Sequence, residues 1–297
     1  MNLPSQKVSL FMSVSKSFDD QSKHLPAATV HPSSIVHPSA KLAPGVRVGP
    51  YCTVGENVTI GSGSVLRSHV NIEGHTTVGE RNEFFPFCSV GAPPQDLKYK
   101  GEPTLLVIGH NNIIRECVTL QPGTVQGGGK TLIGNKNLLM AYCHVAHDCV
   151  IGDENIIANS VQLSGHVTLE NQTVLGGMSA IHQFCKVGDL AMLGGGSMVV
   201  QDVPPYSLVQ GDHASFRGLN IVGLKRKNFD KQQIATVKKV YLHLIQDPAP
   251  TVEESVKNLE LALGPDDDRD VVTQIVTFIR QSSRGVVRRA ASHAVAS

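Results

Sequence analysis

The chain has 297 residues, 26 basic and 25 acidic side chains, a net charge of +1 and no tryptophan. That length suits one large unit and a smaller one. The near-neutral charge, without a long basic run, excludes nucleic acid as the main partner, and no apolar stretch approaches the ~20 residues of a membrane span. The first 26 residues are serine-rich, with Lys7 and Lys16 and no acid before Asp19. They read as a disordered lead-in, with an organelle transit peptide as the alternative.

From Val30 to Val90 every sixth residue is apolar: Val30, Val36, Leu42, Val48, Val54, Ile60, Leu66, Ile72, Val78, Phe84, Val90. Eleven hits in one register have a chance on the order of one in 20,000, so the series is a repeat. A period of six is that of a parallel β-helix. The series returns at Ile108, Ile114 and Leu120 in phase, slips, and resumes at Ile133 to run to Val199. Four residues after each marked residue stands a short one, such as Ser34, Ala40, Val46, Cys52 and Ser64. Both face inward along one short strand. Glycines after the marked residue, such as Gly49, Gly55 and Gly61, are expected to serve corners that need strained backbone angles. Cys52, Cys88, Cys143, Cys149 and Cys185 hold the small inward position and read as buried, reduced thiols of an intracellular protein. No CxxC pair suggests zinc.

Two segments break the hexads, 92–106 (APPQDLKYKGEPTLL) and 124–131 (TVQGGGKT). In a solenoid such insertions become loops on one face, often the binding face. The β-helix, expected over 27–213, ends near Val203-Pro204-Pro205, where prolines forbid further ladder bonding. The remainder, 214–297, reads as helical and as a cap on the last coil. Ile234, Val237, Val240, Tyr241, Leu244 and Ile245 mark one helix. Thr251 with Glu254 opens a second, and Val271, Val272, Ile275, Phe278 and Ile279 outline a third.

The densest polar cluster is Cys143-His144-Val145-Ala146-His147-Asp148. If a coil holds three hexads, every third hexad returns to the same edge. His166 and His182 then fall one residue from the positions above His147, with Gln183 beside them, on coils about 4.8 Å apart. Asp148 favours a catalytic His147, since a carboxylate fixes one imidazole tautomer and raises its basicity. The bland reading is a solvated histidine ladder; a metal site is another.

The strings QDLKYKGEPT (95–104), TVQGGG (124–129), LLMAYCHVAHDC (138–149), SGHVTLE (164–170), HQFCKVG (182–188), QDVPPY (201–206) and GLNIVGLKR (218–226) closely resemble the UDP-N-acetylglucosamine acyltransferase family, over roughly residues 27 to 286. The resemblance implies a mainly-β fold, a left-handed β-helix with a C-terminal helical domain, against the right-handed habit of parallel crossovers. It implies a cytoplasmic homotrimer with sites between subunits and no cofactor or metal. The implied reaction moves an (R)-3-hydroxyacyl chain from acyl carrier protein to the 3-hydroxyl of UDP-N-acetylglucosamine, opening lipid A synthesis. On this resemblance His147 is the general base, Asp148 its orienting carboxylate, and Gly165 the residue whose N–H faces the oxyanion. His144, His166, His182 and Gln183 contact substrate. Asp96 and Lys98 reach the sugar nucleotide from a neighbouring subunit, and Asn220 and Arg226 bind the nucleotide. Gly195, in the run Gly194 to Gly196, gates acyl length, and without a side chain it favours a long chain. Val222 stands where the family commonly has Glu, and Lys227 where it has Arg.

Two other enzymes and a scaffold compete. The N-acyltransferase of the same pathway should carry an extra N-terminal domain, for which the short lead-in leaves no room. A γ-type carbonic anhydrase is a zinc β-helix with HxxxxH and a third His, whereas this chain reads HxxH at 144–147. A non-catalytic solenoid would leave the histidines and both loops unexplained.

Overall fold

A computed structural model of the chain describes residues 25–289; the expected lead-in up to residue 24 lies outside them. Short strands, mostly of two residues, visit three sheets in turn. The first sheet begins at Thr29–Val30, the second at Ile35–Val36 and the third at Lys41–Leu42. Within each sheet the strands pair in parallel. Thr29 faces Arg47, and Arg47 faces Val65. A regular coil thus spans three hexads, the step that separates the bonded pair Ser34 and Cys52. The marked hexad residues and the short residues between them point inward and are buried from Val46 on. Val30 stays exposed, with no coil before it among the described residues.

Some inward positions are polar, and the stacking satisfies them. Asn82, Asn112, Asn137 and Asn155 lie buried on successive coils, and each side-chain oxygen accepts the backbone N–H of the residue one coil on. Gly91, after Val90, takes the expected left-handed angles, with φ 83°, but Gly49, Gly55 and Gly61 do not. The left-handed corner residue comes two places later and is usually not glycine, as at Tyr51, His69 and His166. Gly61 is needed for close approach instead: a Cβ there would lie 2.5 Å from the carbonyl carbon of Gly79 one coil on.

Both insertions leave the helix at the edge between the second and third sheets. One joins Ser89–Val90 to Leu105–Ile108, the other Thr119–Leu120 to Lys130–Ile133. The coil holding the first runs from Asn82 to its partner Asn112. That is five hexads in place of three, so the repeat keeps phase. The coil holding the second runs from Asn112 to Asn137. It is longer than four hexads by a single residue, and that residue causes the slip.

The ladder does not stop at the prolines. Pro204 and Pro205 fall at a corner, and Ser207–Gln210 still adds to the first sheet beside Met192–Leu193. It then pairs antiparallel with Ser215–Leu219, so residues 213 and 214 lie in the turn of a hairpin shared by both units. Among the described residues four helices follow: α1 (Ile221–Arg226), α2 (Lys231–Tyr241, running into a π turn, Leu242–Gln246), α3 (Val252–Ala262) and α4 (Arg269–Arg280). The Thr251–Glu254 capping box forms at α3, and the apolar positions read from the sequence are buried in α2 and α4. The helices share a core with Leu190, Tyr206 and Phe216, which ties them to the last coils. Among the described residues no helix is long and apolar enough to cross a membrane.

Candidate active site

His147 and Asp148 turn the chain at the edge that carries both insertions, one coil beyond the second. Asp148 takes a left-handed corner conformation, φ 59°, yet its side chain is fully buried, because the 124–131 loop covers it. The Thr124 N–H donates to Oδ1 at 2.8 Å and the Thr124 hydroxyl to Oδ2 at 2.6 Å. Thr131 accepts the Asp148 N–H at 2.8 Å. Thr124 also caps a single 3₁₀ turn, Val125–Gly127. Gly127 closes over the carboxylate so tightly that a Cβ there would lie 2.0 Å from its carbon. A buried carboxylate is costly unless hydrogen-bonded. Here its donors are Thr124 twice and, at 2.8 Å, Nδ1 of His147.

That last bond fixes the chemistry. A carboxylate only accepts, so Nδ1 carries a proton, and in the neutral imidazole Nε2 then keeps its lone pair. Gly165 sits one coil above His147, where a Cβ would lie 2.5 Å from the ring carbon Cε1. Only glycine leaves the imidazole its place. The Gly165 N–H is donated to no acceptor among the described residues.

His166 stands one coil above Asp148, its Nε2 3.8 Å from Oδ2. Its ring meets His147 edge-on and stacks on Phe184, with centroids 4.4 Å apart and planes 10° apart. Burial holds its pKa below the usual histidine value; the charges of Asp148 and Asp96 partly offset this, and His147 adds to it. His144 points outward from the second sheet, and its Nδ1 lies 2.7 Å from the Thr119 hydroxyl. Burial, then His147, lowers its pKa too. His182 and Gln183 are exposed on the next coil, where the His182 ring turns to the Gln183 carbonyl. Among the described residues His147, Asp148 and His166 form the one group of three metal-capable side chains, within 4.8 Å of one another. Both Asp148 oxygens are already engaged by Thr124 and His147.

The 92–106 loop rises from the same edge, one coil before the second insertion. Gln121 braces it, accepting the Gln95 N–H at 3.2 Å, and Asp96 accepts the Lys98 N–H at 2.9 Å. Lys98 is exposed and forms no ion pair among the described residues. The resemblance sends this loop to a neighbour's site. In this chain it leaves the coils at the edge that carries His147.

Asn220 and Arg226 lie elsewhere. They begin and end α1, on the edge between the third and first sheets. Asn220 is buried; its amide donates to the Leu190 carbonyl at 2.9 Å and its oxygen caps α1 at Gly223. Arg226 is exposed. Gly195 has ordinary backbone angles, and a Cβ there would meet only the Gly177 carbonyl, at 3.4 Å. Corner geometry therefore does not demand a glycine at 195.

The sequence alone gives Thr124, Thr131, Thr119 and Phe184 no role of their own, although Thr124 opens the string TVQGGG and Phe184 lies within HQFCKVG. Thr131 sits at a small inward hexad position and looks like core. Thr124 touches Asp148 only through a fold that joins distant parts of the chain.

A family model described as "Udp N-acetylglucosamine O-acyltransferase; Domain 2" matches residues 202–287, and the bacterial transferase hexapeptide model matches 27–62 and 130–165. The chain is 44% identical over 218 residues, 73% of its length and 83% of the relative's, to the acyl-[acyl-carrier-protein]–UDP-N-acetylglucosamine O-acyltransferase of Verminephrobacter eiseniae. Its fold is similar to LpxA from Acinetobacter baumannii, with a TM-score of 0.83 and 44% identity, covering 87% of this chain and 99% of that one. It is also similar to the Arabidopsis UDP-N-acetylglucosamine acyltransferase, with a TM-score of 0.76 and 36% identity, covering 88% and 100%.

Proposed function

The chain belongs to the UDP-N-acetylglucosamine O-acyltransferase family, and from that premise we propose how its residues carry out the transfer. It is an acyl-[acyl-carrier-protein]–UDP-N-acetylglucosamine O-acyltransferase, acting at the first step of lipid A biosynthesis. In our reading the acyl chain is an (R)-3-hydroxyacyl group and the acceptor is the sugar 3-hydroxyl. Nε2 of His147 takes the hydroxyl proton as the oxygen attacks the thioester carbonyl. The Gly165 N–H faces the oxyanion that forms. Collapse makes the ester and breaks the C–S bond, and His147 returns its proton to the leaving thiolate. The scheme calls on no cofactor and no metal.

His144, His166, His182 and Gln183 contact the substrates along the same edge. Asp96 and Lys98 meet the sugar nucleotide from the loop above it, and Asn220 and Arg226 serve the nucleotide. One chain leaves Arg226 on a different edge from His147, which supports a site completed by a second copy. A row of outward apolar residues on the first sheet also supports the homotrimer. Ile113, Leu138, Ile156, Val174, Met192 and Leu208 pair in unbroken register there. We take the coil to be left-handed, as the family resemblance implies, and the enzyme to be cytoplasmic, in keeping with its six free cysteines.

The observation that carries the catalytic assignment is the 2.8 Å bond from His147 to a buried, fully engaged Asp148. The test is turnover of UDP-N-acetylglucosamine with 3-hydroxyacyl carrier proteins. His147→Ala is expected to lose about 10²–10⁴ in rate with its melting temperature kept. Activity within a few-fold of wild type would sink the assignment.

A further inference from the structure

Helix α1 carries three cations at its end, Lys225, Arg226 and Lys227, and among the described residues only Lys227 is tied down. Its Nζ donates to Glu154 Oε2 at 2.8 Å. Glu154 is the left-handed corner residue of a coil on the edge between the third and first sheets. Gln172, one coil on, donates to the same oxygen at 3.3 Å, and Lys136, one coil back, lies 3.8 Å from the other. The Lys227 bond, more than any other influence, holds the Glu154 carboxyl below its usual range.

The far end of the helix is pinned as well. Asn220, its N-cap, donates to the carbonyl of Leu190 on the same edge. Leu190 lies two coils beyond Glu154, with Gln172 at the matching corner between them. Two coils rise about 9.6 Å at the usual strand spacing. Seven helical steps, from 220 to 227, rise about 10.5 Å. The helix therefore spans two coils and is fastened at both ends, lying along the edge.

We propose that Lys227 is a positioning residue: paired with Glu154, it fixes the end of α1 so that Arg226 beside it meets the nucleotide in one place. This rests on the assignment of Arg226 to the nucleotide. It gives lysine at 227 a role that needs a point charge on a long stem and no bidentate fork.

Steady-state kinetics on the full chain test this, with UDP-N-acetylglucosamine varied at saturating acyl carrier protein. Glu154→Gln and Lys227→Gln should each raise KM roughly two- to five-fold, the size expected of one exposed ion pair. kcat and melting temperature should hold, and the double variant should be no worse than either single. The exchanged pair, Glu154→Lys with Lys227→Glu, should recover much of the loss. If Lys227→Gln raises KM while Glu154→Gln does not, Lys227 touches the nucleotide itself and the inference falls. It falls equally if neither changes KM while Arg226→Ala does. If Arg226→Ala leaves KM unaltered, the assignment beneath it is wrong and the inference goes with it.

Discussion

Asp148 cannot be solvated where it sits, so its charge depends on donors the protein supplies. Thr124 supplies two of them, from a loop that the histidine cluster does not include. Thr124→Val keeps the shape and removes the hydroxyl. It should cost about 1.5–3 kcal/mol of stability, as hydrogen bonds to charged groups do. It should also lower kcat, because the carboxylate loses its orientation toward Nδ1; urea unfolding and kcat measure the two. An unchanged kcat would show that Asp148 is held without Thr124. His144 and His166 set a pH dependence. Both have pKa values depressed in the fold, mainly by burial. The unfolded chain therefore takes up their protons first as pH falls, and it binds more protons in that window. Stability is complete above about pH 6.5, the ordinary histidine value, and is lost as pH drops below it. Melting temperature against pH should show the decline, and His144→Gln with His166→Gln should flatten it. The string His144 to Asp148 makes the pairing of His147 with Asp148 legible. Thr124, Thr131 and Phe184 are not, since their parts depend on stacking of coils that only folding creates.

At the scale of the element, the hexad is readable because a buried strand pair needs one large and one small side chain in every repeat. The slip after Leu120 is visible too, but its meaning, a hexad and one residue more added at a corner, needs the register. α1 is hidden because so short a helix carries too little periodicity. Gly195 belongs to this scale too. It ends a stretch of three coil steps from His144, through Gln162 and Ala180 to Met198, about 14 Å along the axis. A Cβ fits there without disturbing the backbone. Gly195→Met should therefore fold and should shorten the preferred acyl chain. Each methylene kept out of an apolar groove forfeits ~0.8 kcal/mol, so fourteen-carbon donors should lose most kcat/KM and ten-carbon donors least. An unchanged ranking across ten-, twelve- and fourteen-carbon donors would remove Gly195 from the groove.

For the whole molecule the edges of the prism decide what must come from where. His147 and both loops share one edge, while α1 runs on another. In the proposed trimer, mixing His147→Ala and Arg226→Ala chains should therefore restore activity, because some sites would combine one intact residue from each chain. Because the 92–106 loop leaves the chain at the same edge as His147, trimers mixed from His147→Ala and Lys98→Ala are expected to stay inactive. Recovery in the second mixture and none in the first would reverse this arrangement. The constant length of the regular coil carries one last consequence. Insertions at a corner have any length they like, as the two unequal loops show, but the distance between His147 and Gly195 changes only in whole turns of the spiral. With Gly195 taken as the end of the acyl groove, as the resemblance implies, selectivity for chain length then has two gears. Adding or removing a coil shifts the groove by about 4.8 Å, several methylenes at once, and the side chain at 195 makes the finer adjustment. Relatives with identical chemistry could drift to new lipids by the fine gear alone, while the coarse one stays locked by the stacking of every strand above it.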